Sequence, residues 1–68
     1  MAQIIMGIDG MSCQKCVQSI TRILQALPGV ERVDVSLEAA QAALDYDPEI
    51  TGVAQFKSAI EEAGFDVR

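Results

Sequence analysis

Gln14-Lys15-Cys16-Val17-Gln18-Ser19-Ile20-Thr21-Arg22-Ile23-Leu24-Gln25-Ala26-Leu27-Pro28-Gly29 is the stretch on which the fold turns. Val17, Ile20, Ile23, Leu24 and Leu27 recur at helical spacing, with Gln18, Thr21, Arg22 and Gln25 on the other side. The pattern predicts an amphipathic helix from about Gln14, capped by Ser12 or Cys13 and stopped by Pro28-Gly29. Before it, Ile4, Met6 and Ile8 alternate with Ile5, Gly7 and Asp9, the period of a half-buried strand, until Asp9-Gly10 breaks the run. After it, Val30, Val33, Val35 and Leu37 sit among Glu31, Arg32, Asp34 and Ser36 as a second strand. Glu38-Ala39-Ala40-Gln41 suits a hairpin. A third strand follows, with Ala42, Leu44 and Tyr46 against Ala43, Asp45 and Asp47, and Asp47-Pro48 closes it.

A second helix is expected from about Gly52 to Ala63, burying Val53, Phe56, Ile60 and Ala63, with Gly64 as its stop. Phe65 and Val67 then fall in a short last strand. The spacing of Val17, Ile20, Leu24 and Leu27 is repeated by Val53, Phe56, Ile60 and Ala63, so the chain reads as two half-units. Strand, helix, strand, strand, helix, strand is the order of the ferredoxin-like, split βαβ arrangement, an α+β sandwich. One four-stranded antiparallel sheet is covered on one face by both helices. Residues 1–68 are expected to form one domain. Right-handed crossovers put the first strand-to-helix loop at one end of the sheet, and that loop carries both cysteines.

Bulk properties narrow the function. A chain of 68 residues buries only about 60% of the surface that its unfolded form exposes, so a large substrate cavity is not expected. Half of the residues are hydrophobic and they are spread along the chain, which argues for a compact domain rather than disorder. Ten acidic against five basic residues give a net charge of −5, which disfavours nucleic acid and anionic lipid as partners. No apolar run approaches the roughly 20 residues of a membrane span. Met1-Ala2-Gln3 does not resemble the start of a secretory signal, and cytoplasmic residence is the expectation.

The two cysteines stand three positions apart, too close for a disulfide to stabilise the fold much through loop closure. Their role is therefore expected to be chemical. In Gly10-Met11-Ser12-Cys13-Gln14-Lys15-Cys16, one thiol lies in the loop and the other in the first helical turn, so both sulfurs can grip one ion. The helix start offers unpaired N–H groups and a partial positive charge, which favour thiolates. Thiolates select soft ions, Cu(I) above all, whereas Mg²⁺ and Ca²⁺ demand oxygen. Zinc normally takes four ligands, and the chain has no histidine and no third cysteine. A redox dithiol, an incidental loop pair and half of a zinc site stay open on spacing alone. Asp9 is expected to face solvent, Met11 to plug the core beneath the loop, and Glu61 and Glu62 to form a solvated face. Lys15 is either a solvated helix residue or a charge that tempers an anionic site.

The segment Gly10-Met11-Ser12-Cys13-Gln14-Lys15-Cys16 resembles the Gly-Met-x-Cys-x-x-Cys signature of the heavy-metal-associated domain family. That family includes bacterial copper chaperones and N-terminal domains of copper-transporting P-type ATPases. Leu27-Pro28-Gly29-Val30, Val33-Asp34-Val35-Ser36-Leu37-Glu38 and Ala63-Gly64-Phe65-Asp66-Val67 are similar to it as well, so the likeness covers the whole chain. The resemblance implies a non-enzymatic carrier holding Cu(I) between Cys13 and Cys16. It would hand the ion by thiolate exchange to a partner such as a copper-transporting P-type ATPase. Zn(II) or another soft ion is a secondary expectation, because Ser12 stands where zinc, cadmium or lead members often carry Asp. Phe65 stands where chaperones commonly have Tyr. A monomer is expected, or a dimer bridged by metal. The alternatives are a thiol-disulfide redox protein and a regulatory metal-binding module of a larger pump.

Overall fold

The computed structural model describes residues 1–68. Its elements are β1 (Ala2–Asp9), α1 (Gln14–Gln25), β2 (Val30–Ser36), β3 (Gln41–Tyr46), α2 (Val53–Glu62) and β4 (Asp66–Val67). The sheet order is β2-β3-β1-β4, with every neighbouring pair antiparallel. This is the expected ferredoxin-like arrangement of a four-stranded sheet and two helices. No helix is long and apolar enough to cross a membrane.

Alternation places one set of side chains inward. Met6 and Ile8 of β1, Ala42 and Leu44 of β3, Ile20 and Leu24 of α1, and Phe56 and Ile60 of α2 form the buried core. Each fully buried Leu, Ile or Phe stabilises the fold by about 1.5–3 kcal/mol relative to leaving it exposed. Tyr46 meets Phe56 edge to face, with centroids 5.0 Å apart, and so joins β3 to α2. The opposite sheet face stays open, and Ile5 on it is 62% exposed.

β2 shows why its spacing departs from a strict period of two. The interval from Val30 to Val33 is odd, yet both pack on the core. The ladder slips between Val30 and Arg32, so that Val30 pairs with Tyr46 and Val33 with Leu44, two residues on the same face. The extra residue, Glu31, is absorbed in a bulge, which blunts this edge strand.

Several expected boundaries shift. Cys13, not Ser12, caps α1, and its side chain makes no capping bond. The helix ends at Gln25 with Ala26 as its C-cap, before Pro28-Gly29. Gly29 instead makes the turn into β2, at φ +87°. Leu37 lies in the hairpin and Gln41 already belongs to β3, where it pairs with Gly7 and Ser36. The spacing puts Val53 on the buried face, yet it is 43% exposed, because it is the first residue of α2 and projects beyond the layer that Phe56 and Ile60 cover.

Candidate metal centre

β1 delivers the chain to one end of the sheet at Asp9, and Gly10 turns it with φ +101°, a conformation that disfavours a side chain. Met11 then packs, partly buried, against the core, which anchors the loop from beneath. Ser12 and Cys13 are left exposed at the surface. Cys13 has extended backbone as the N-cap of α1, and its carbonyl accepts the N–H groups of Cys16 at 3.1 Å and Val17 at 3.4 Å. The first helical turn carries Cys16 back over the loop.

Both cysteines are free thiols, Cys13 exposed and Cys16 half-buried, with their Sγ atoms 3.9 Å apart. A disulfide would need about 2.04 Å. Two thiolates gripping an ion at about 2.3 Å each, as in zinc sites, stand at most about 4.6 Å apart. One soft ion therefore fits between these sulfurs with little motion.

The surroundings of Cys16 favour its thiolate. Hydrogen bonding from the Ser12 backbone is the main influence that lowers the Cys16 pKa from its ordinary value, opposed by desolvation. The Ser12 side chain, then the Cys13 side chain and backbone, lower it further. Ser12 Oγ stands 3.9 Å from the Cys16 sulfur. No acidic residue lies in the first turn of α1, so the positive end of the helix is not offset there.

Around this pair, no further Cys, His, Asp or Glu completes a group of three. The Asp9 carboxylate is exposed, as expected, and sits 3.1 Å from Arg68 Nε. Lys15, Glu61 and Glu62 are exposed on their helices. Phe65 is half-buried, and its Cδ1 lies 3.4 Å from where a Cβ on Gly10 would stand, so the ring rests on the loop's hinge. Two features escaped the sequence. The four-residue spacing of Ser12 and Cys16 is a signal for their contact, whereas nothing in the sequence pattern links Arg68 to Asp9.

Comparison with known proteins gives the same picture. The heavy-metal-associated domain matches residues 5–66. Copper chaperone CopZ of Staphylococcus aureus (strain JH9) is 40% identical over 67 residues, covering 98% of each chain. Copper-transporting ATPase 1 of Rattus norvegicus is 39% identical over 64 residues, which cover 94% of this chain but only 4% of that relative. Among solved structures, the yeast copper transporter domain CCC2A, determined in apo and Cu(I)-loaded states, superposes with a TM-score of 0.89. It shares 36% identity, covering 97% of this chain and 90% of that one. With the motif, the topology and the loop geometry in agreement, the chain belongs to the heavy-metal-associated domain family.

Proposed function

We propose that this chain is a cytoplasmic Cu(I) carrier that binds the ion between Cys13 and Cys16 and passes it to a copper-binding domain of a P-type ATPase. The observation that carries it is the pair of accessible sulfurs 3.9 Å apart, with no His, Asp, Glu or further Cys completing a group of three with them. Two soft donors suit Cu(I), while a closed zinc site wants four ligands. Zn(II) would bind more weakly, with solvent or a second chain completing its shell. The likeness to CopZ over nearly the full length of both chains supports the carrier role. The likeness to a segment of a copper-transporting ATPase supports a partner built on the same fold. A reducing compartment keeps such thiols available, which favours the cytoplasm.

Exposure of Cys13 is what makes release feasible. An incoming thiolate adds to two-coordinate Cu(I), giving a three-thiolate intermediate. One of the original Cu–S bonds then breaks, and its thiolate is reprotonated by solvent. A second exchange completes the handover, and copper remains Cu(I) throughout. The chain acts as a carrier rather than a catalyst in this scheme.

A competition titration of the reduced protein against a Cu(I) chelator, under anaerobic conditions, tests the binding. One Cu(I) per chain is expected, and the carrier role fails if wild type loses the ion as readily as Cys13→Ser/Cys16→Ser. Mass measurement with and without Cu(I) separates a monomeric carrier from a metal-bridged dimer. The match to a segment of an ATPase favours a second role, as a regulatory module of a pump. Loaded protein that binds Cu(I) but never delivers it to an isolated ATPase metal-binding domain would select that role.

A further inference from the structure

Arg68 bonds to β1 and to the turn between β2 and β3. Its backbone N–H donates to Gly7 O at 2.8 Å, extending the ladder of β4 by one residue. Its side chain crosses β1, with Nε 3.1 Å from Asp9 Oδ1 and Nη2 donating to Ala40 O at 3.0 Å. The same Ala40 carbonyl accepts the Ile8 N–H at 2.8 Å. The guanidinium thus ties the edge strand to β1 and to the turn between β2 and β3. A planar fork with several donors suits this double contact, which the single ammonium of lysine cannot reproduce.

Gly7 makes room for the crossing. A Cβ there would stand 3.1 Å from Arg68 Nε and 3.3 Å from Arg68 Cβ. Its backbone has no positive φ, so space rather than turn geometry is what glycine supplies at this position.

The strap closes on the end of the sheet that bears the cysteines. β4 pairs with β1 at only two positions, Ile8 with Val67 and Asp9 with Asp66, so little else in the ladder holds it. Phe65 immediately precedes β4 and rests on Gly10, the hinge of the loop that presents Cys13. We infer that Arg68 is a positioning residue for the metal site, acting through β4 and Phe65. The strap holds β4 on the sheet, β4 holds Phe65 on Gly10 together with the Phe65 N–H bond to Ile60 O at 3.2 Å, and Gly10 fixes Cys13 opposite Cys16. Cys16, set in α1, does not depend on it. The inference rests on the carrier function above for its metal readout, but not for its structural one.

Amide hydrogen exchange of the metal-free chain and Cu(I) competition titration test it together. The variants are Arg68→Ala, Arg68→Lys, Gly7→Ala, Phe65→Ala and Phe65→Ala/Arg68→Ala. Arg68→Ala is expected to speed exchange at Phe65–Val67 and at Gly10–Cys13 while leaving the core of α1 protected. It should lower Cu(I) affinity about threefold, a size within what one exposed ion pair with an added hydrogen bond supplies. Arg68→Lys restores part of that loss, and Gly7→Ala gives a milder form of it. In the Phe65→Ala background, removing Arg68 has no further effect on affinity. Unchanged exchange at Gly10–Cys13, or an affinity loss of equal size with and without Phe65, overturns the inference. Failure of wild type to outcompete the double serine variant would instead sink the carrier function, with the exchange data still deciding the strap.

Discussion

The two helices begin almost identically and end in different uses. Cys13 and Gly52 are both extended N-caps, at φ −160° and −163°, and neither helix has a side-chain capping bond or an acidic residue in its first turn. The Cys13 carbonyl accepts from Cys16 and Val17 as the Gly52 carbonyl accepts from Gln55 and Phe56. Aligned on these caps, the halves are offset by 39 residues. Aligned on their buried pairs, Ile20 and Leu24 against Phe56 and Ile60, they are offset by 36. The difference is about one helical turn. α1 therefore carries an extra turn at its start, beyond the layer that the core needs, and that turn is where Cys16 stands opposite Cys13. The longer helix of the repeated plan is the one that carries Cys16, and the shorter helix leaves Val53 exposed where its counterpart Val17 is half-buried.

The largest effect comes from removing a sulfur. Cys13→Ser or Cys16→Ser should weaken Cu(I) binding in a chelator titration by far more than the roughly 10–100-fold cost of losing a supporting residue. Transplanting the pair breaks the comparison from the other side. In the double serine background, Gly52→Cys/Gln55→Cys should bind Cu(I), though more weakly than the original site. If it binds none, the loop before α1 matters more than the cap geometry the helices share.

Next in size, Phe56→Ala should cost about 3–5 kcal/mol in urea unfolding, since the ring is fully buried. Val53→Ala should stay within about 0.5 kcal/mol, as for other exposed sites. A loss at Val53 as large as that at Phe56 would mean that the start of α2 is covered like its centre, and that α1 carries no extra turn beyond the shared layer.

The electrostatic effect at Cys16 is smaller. Because hydrogen bonding at Ser12 lowers the Cys16 pKa, its thiolate persists to lower pH than that of an unperturbed cysteine. Alkylation of Cys16 followed by mass spectrometry should thus remain fast below the ordinary cysteine range and slow only as pH falls through the lowered value. Ser12→Ala should move that fall part of the way upward, since the backbone contribution remains. The smallest effect belongs to α2, where Gly52→Ser supplies the missing cap oxygen and should raise stability by a few tenths of a kcal/mol.

Sequence by itself determined the element order, the inward faces of β1 and β3, the buried pairs of both helices and the identity of the two thiols. Periodicity and residue chemistry are local properties, so they survive without coordinates. Helix ends, the bulge at Glu31 and the exposure of Val53 depend on where neighbouring layers stop, which spacing alone does not encode. The contact of Ser12 with the Cys16 thiol and the strap of Arg68 over Gly7 were decided only by tertiary structure. Both arise from atoms brought together by the fold: the loop folded back over the start of α1, and a side chain reaching across the sheet to residues far away in sequence.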